Sequence, residues 1–133
     1  MTINMGITFR WDDEPRTLLR FTAEGEWNWK DYHHMARVAS FNMFNAGGEV
    51  DVIFDLRGGA RLPSGAVAHL RTVGKRLNER MTGRAAIIGL DAATIRQIAP
   101  DGTGSLTLGD QTLYFVDDDA AAYTALGRTE HEK

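Results

Sequence analysis

Residues 50–70, VDVIFDLRGGARLPSGAVAHL, constrain what this chain can fold into more than any other stretch of it. A compact apolar run, Val50, Val52, Ile53, Phe54 and Leu56, leads into a loop holding Gly58 and Gly59. Pro63 and Ser64 follow, and then Val67, Leu70, Val73 and Leu77 recur at steps of three and four. This pattern predicts a buried strand feeding a helix over residues 64–81, with Ser64 at the seam. In open α/β sheets such seams gather anions, partners and regulatory chemistry.

The flanking sequence supplies the remaining elements. Ile7-Thr8-Phe9-Arg10-Trp11 alternates apolar and polar side chains, as a half-buried strand does. Asp12-Asp13-Glu14-Pro15 marks a turn, and LLRFTA over 18–23 makes a second strand, so the two are expected as an antiparallel hairpin at one sheet edge. Asn28 is placed to cap a helix over 29–43, along which Trp29, Tyr32, Ala36, Ala39 and Met43 form one buried stripe. A short apolar strand is expected over 84–90, and Asp91 caps a helix that carries Ile95 and Ile98 and stops at Pro100. Residues 105–108 read as a minor strand and 113–116 as the last full one. Acids Asp117–Asp119 then open a final helix through Leu126, complementing its dipole. The expected order is ββαβαβαβα, an α/β fold with a mixed, mostly parallel sheet and helices packed mainly on one face. At 133 residues the chain is expected to form one domain over 1–126, since domains commonly span roughly 100–150 residues. Residues 127–133 are expected as a frayed polar tail.

Composition narrows the function classes. The formal net charge of -3 argues against a dedicated nucleic-acid binder, and the chain has no cysteine for disulfides or thiolate chemistry. No apolar run approaches the roughly 20 residues of a membrane span, and the N-terminal residues lack signal-peptide character. A cytoplasmic protein is the expectation. Basic residues gather in the middle, from Arg57 and Arg61 to Arg80 and Arg84, as a solvated face or a weak anion-attracting surface.

The element order and the 50–70 segment resemble the STAS superfamily of anti-sigma-factor antagonists and sulfate-transporter cytoplasmic domains. Asp55-Leu56 matches the Asp-Leu that ends the family's apolar strand, and Pro63-Ser64 falls on its Asp-Ser pair. Leu70, Ile95–Ile98, Gly104 and Tyr114-Phe115-Val116 look like later landmarks. The entry Gly25-Glu26-Trp27-Asn28-Trp29 looks more like stand-alone bacterial STAS-like proteins, which share a fold with CRAL-TRIO lipid-transfer domains. The resemblance covers residues 5–126. It implies a non-enzymatic regulatory or protein-binding module with Ser64 as phosphoacceptor, although Pro63 stands where the family carries an acid.

Weighed as residues, the candidates keep two readings each. Ser64 is either a plain helix N-cap or a phospho-switch that changes a docking surface. Asp55 either accepts hydrogen bonds from loop amides around Gly58-Gly59 or acts as a general base or metal ligand, with no second carboxylate evident beside it. His33 and His34 point about 100° apart on one helix and His69 belongs to another, so no metal site is expected. No serine has a histidine and acid partner, no GxSxG occurs, and neither glycine cluster has nucleotide-binding spacing, so no catalytic group or cofactor is expected. Trp27, Trp29, Phe41 and Phe44 are core, a homodimer surface, or the lining of a cleft for a small apolar or lipid-like ligand. The leading expectation is binding of an unidentified protein partner near Ser64. A ligand carrier ranks second, and an enzyme using Asp55 and Ser64 last.

Overall fold

The computed structural model describes residues 6–13, 15–59, 61–100 and 104–128. Strands β1 (Ile7–Trp11) and β2 (Leu18–Gly25) form the expected edge hairpin, antiparallel with Phe9 opposite Phe21. The Asp13 carboxylate closes its turn by accepting the Thr17 and Leu18 amides at 2.9 and 3.0 Å. Helix α1 (Trp29–Asn42) begins at Asn28, whose side chain accepts the Asp31 amide at 2.8 Å. Strand β3 (Val50–Gly59), the short helix α2 (Ala66–Leu70), strand β4 (Met81–Ile88) and helix α3 (Ala92–Ile98) follow, and Asp91 caps α3 as expected. Strands β5 (Ser105–Leu108) and β6 (Gln111–Val116) form a second hairpin before helix α4 (Asp119–Ala125).

One six-stranded sheet of order β1-β2-β3-β4-β6-β5 results, parallel between β2, β3, β4 and β6 and antiparallel at both edge pairs. Residues 105–108 are thus a full edge strand, and the observed order is ββαβαβαββα.

The compact apolar run of β3 is explained by burial on both faces. Val50, Val52, Phe54 and Leu56 face α1, α2 and α3, together with Leu19 and Phe21 of β2 and Ala85 and Ile87 of β4. On the other face Ile53, Leu18, Ala86 and Ile88 meet Ala122 and Leu126 around α4. Three helices therefore cover one face and one covers part of the other. Among the described residues no helix is long and apolar enough to cross a membrane.

Helix α4 is held by charge at both ends. Asp119 at its start lies 2.7 Å from Arg57 Nη2 and 3.2 Å from Arg20 Nη2. Beyond its end, Arg128 donates to the Thr17 carbonyl at 2.7 Å and to Asp51 at 3.0 Å, so the ordered chain continues past Leu126. Residues 129–133 of the expected tail lie outside the described residues.

The largest departure from the sequence reading is in residues 64–81. Helix α2 is five residues long, and the chain then runs through turns to β4. Gly74, at φ +79°, has a backbone that a right-handed helix cannot continue through, and a Cβ there would meet the Ala85 side chain at 2.6 Å. The apolar spacing runs from the short helix into the turns: Leu70 at the end of α2 and Val73 beyond it are fully buried, whereas Leu77 is 51% exposed.

Candidate functional site

Where a long helix was expected, the short one and the turns after it leave a hollow above the sheet. Phe21 of β2 and Val52 of β3 form the floor of a cleft of about 240 Å³. Tyr32, His33, Ala36 and Met43 of α1 supply one wall, and Thr72, Gly74, Lys75 and Leu77 the other. Tyr32 is fixed there by stacking on Phe54, with ring centres 4.8 Å apart and planes within 15°. Its burial raises the phenol pKa, so it stays neutral.

At the α2 side of this cleft two histidines from different helices meet. His33 Nε2 lies 2.9 Å from His69 Nδ1, and Trp29 stacks on His69 at 5.0 Å with an 11° interplanar angle. The Trp29 indole N–H also donates to the Pro63 carbonyl at 3.3 Å, tying α1 to the loop before α2. Burial, the neighbouring His69 and the charge of Arg37 lower the His33 pKa from its ordinary value. Sequence reasoning separated the histidines by helix and missed their meeting. Trp29 and His33 stand one turn apart on α1 and both turn toward α2, a spacing that carries the signal only once α2 is placed. Among the described residues no group of three or more ligating acids or histidines forms.

Ser64 lies exposed in the loop before α2, and β3, which leads to it, is an interior strand. Ser64 is not the helix cap. Gly65 occupies that position at φ +81°, a left-handed conformation that a glycine adopts without penalty, and no side chain caps α2. Pro63 is half-buried, its carbonyl taken by Trp29.

Asp55 sits within β3 rather than at its end, on the face toward α4. Its hydrogen bonds come from Arg57 rather than from Gly58 and Gly59: the Arg57 amide and Nε at 3.0 Å and Nη2 at 2.9 Å. Arg20 Nη1 adds a contact at 3.0 Å. The second carboxylate not evident in the sequence is present twice, as Asp12 and Asp119, both ion-paired to Arg20. Burial alone would raise the Asp55 pKa, but the hydrogen bonds and charge of Arg57, with the charge of Arg20, outweigh it and hold the group below the usual carboxylate value. An anion held by two guanidiniums is a weak base, suited to bracing α4 against the sheet.

The four aromatic candidates divide into two pairs. Trp27 and Trp29 are buried edge-to-face at 4.7 Å, with Trp27 also packing on Phe54 at 5.7 Å. Phe41 and Phe44 are 73% and 77% exposed. The cleft expected from all four does not form, because Phe41 lies twelve residues from Trp29, roughly 18 Å along the helix axis and on another face. Trp29 reaches the edge of the observed cleft through His69 and its contact with His33.

No protein-family model matches the chain, and no curated protein does. Among solved structures it is similar to an uncharacterized protein of the DUF3478 family from Shewanella loihica, described as having a SpoIIAA-like fold. The TM-score is 0.57 at 20% identity, covering 95% of this chain and 98% of that one. With the sheet order and helix placement above, this establishes a SpoIIAA-like, STAS-type α/β fold for the chain.

Proposed function

We propose that this protein works by binding, and that it holds a small, largely apolar molecule in the cleft between α1 and residues 71–81. One observation carries the reading: core side chains Phe21, Val52 and Met43 line a solvent-accessible hollow of about 240 Å³. That is just below the roughly 300–1,000 Å³ of typical small-molecule sites, so the occupant is small. The pinned state of Asp55 supports binding over catalysis. Native mass spectrometry of the purified chain, and of an Ala36→Phe variant that fills the hollow, tests the reading. A small adduct on the parent and none on the variant is expected; equal behaviour of a folded variant argues against it.

Ser64 supports a second reading, a docking surface for a protein partner controlled by phosphorylation. Its exposed position between α1-tethered Pro63 and Gly65 leaves it accessible to a kinase. A phosphate would add about -1.5 to -2 charges without disturbing the core. Mass spectrometry of the chain from its native cell tests this: phosphate at Ser64 is expected, and its absence under every growth condition counts against the switch.

A further inference from the structure

The ion-paired acids lie away from the cleft. Asp12, Asp55 and Asp119 are ion-paired to Arg20 or Arg57, Asp51 to Arg84 and Arg128, and Asp110 to Arg76. None of these acids, nor any other acid among the described residues, lines the cleft. Lys75 does line it, exposed and without an ion-pair partner among the described residues. His33 lines it from the opposite wall; with Nε2 engaged by His69, its Nδ1 has no protein partner among the described residues. Arg37, one helical turn beyond His33, is exposed and likewise unpaired among them. Among the described residues that line this apolar hollow, the one charged side chain is the cationic Lys75.

Resting on the cleft reading above, we infer that the occupant is an amphiphilic anion. A carboxylate-sized head sits beside Lys75 and His33, and a short apolar tail lies against Phe21, Val52 and Met43. A cationic head would meet Lys75 and Arg37 unfavourably. A neutral one gains no charge-assisted contact with Lys75, whereas an anion does, where apolar walls exclude part of the water. An arriving carboxylate also selects the His33 form that carries a proton on Nδ1, which the His69 contact permits in either the neutral or the charged ring.

Octanoate, 1-octanol and octylammonium share one tail and differ in the head. Each is titrated into the ¹⁵N-labelled full chain, its Lys75→Met variant and its Ala36→Phe variant, with amide shifts of α1 and residues 71–81 as readout. Octanoate is expected to bind most tightly and octylammonium most weakly. Lys75→Met, at an exposed position that leaves the fold intact, is expected to weaken octanoate by about two- to fivefold and leave 1-octanol unchanged. Equal affinities for octanoate and 1-octanol, or an equal loss of both in Lys75→Met, overturns the anionic head while the cleft reading stands. If none of the three shifts cleft residues, or all bind a folded Ala36→Phe variant as well as the parent, the cleft reading falls and this inference with it.

Discussion

Arg20 and Asp55 sit diagonally on neighbouring strands, with Nη1 of the arginine 3.0 Å from Oδ2 of the aspartate. Arg20 also binds Asp12 through Nε and Nη2, so one buried guanidinium serves carboxylates from the β1–β2 turn, β3 and the start of α4. Removing it leaves Asp12 largely buried without its main partner and Asp55 with Arg57 alone. Arg20→Met is expected to cost about 3–5 kcal/mol in equilibrium urea unfolding, as broken buried ion pairs do. Asp55→Asn leaves Arg20 with Asp12 and Asp119 and is expected to cost about 1–2 kcal/mol. Similar small losses in both would mean that water screens the network.

Ser64 and Asn28 separate a suspected cap from an actual one. Asn28 accepts the Asp31 amide, so Asn28→Ala is expected to cost about 1 kcal/mol. Ser64→Ala removes no cap bond and is expected to fall within about 0.5 kcal/mol of the parent. A Ser64→Ala loss equal to that of Asn28→Ala in the same denaturation experiment would contradict the placement of Gly65 as the cap.

The strands and α1 were legible because their apolar periods match one burial pattern and their caps are local chemistry: Asn28 and Asp91 each name their own amide. Residues 64–81 were not legible as a whole, because the step of three from Val67 and Leu70 in α2 carries on to Val73 in the turn that follows. Gly74 marks the break, with a left-handed backbone packed so close to Ala85 on β4 that a Cβ would lie 2.6 Å from it. The cleft follows from that break, so it was hidden too. The histidine contact and the Arg20 network were out of reach for a related reason. Their partners lie 36 and 35 residues apart in the chain and meet only through tertiary packing.

Gly74→Ala tests that contact directly. The substitution adds a methyl 2.6 Å from the Ala85 side chain and forces an L residue to φ +79°. Backbone conformation costs roughly 1–2 kcal/mol and overpacking about 1–3 more. Gly109→Ala is the control: it has φ +62° with nothing within 4 Å, so only the conformational part applies. Thermal melts are expected to show a clearly larger drop for Gly74→Ala. Equal drops would mean that residues 71–80 are not pressed on β4.

The His33–His69 contact links stability to pH. A neutral pair shares one proton across 2.9 Å, and two imidazoliums there would repel. Groups facing His33 add to the effect: His69 from α2, Arg37 on α1 and Lys75 across the cleft, with neutral Tyr32 beside it. The His33 pKa is therefore lowered in the folded chain, while the unfolded chain protonates near the ordinary value of about 6.5. Below that pH the unfolded state binds more protons than the folded one, so this contribution is present above about pH 6.5 and is lost as pH falls through the depressed folded value. Asp55, also depressed, adds its loss in a separate window below the usual carboxylate range. Urea midpoints at about pH 7.5, 6.5 and 5.5 are expected to fall for the parent across the histidine window and to stay flatter for His33→Gln. Parallel curves for the two proteins would show that the pair carries no proton-linked energy.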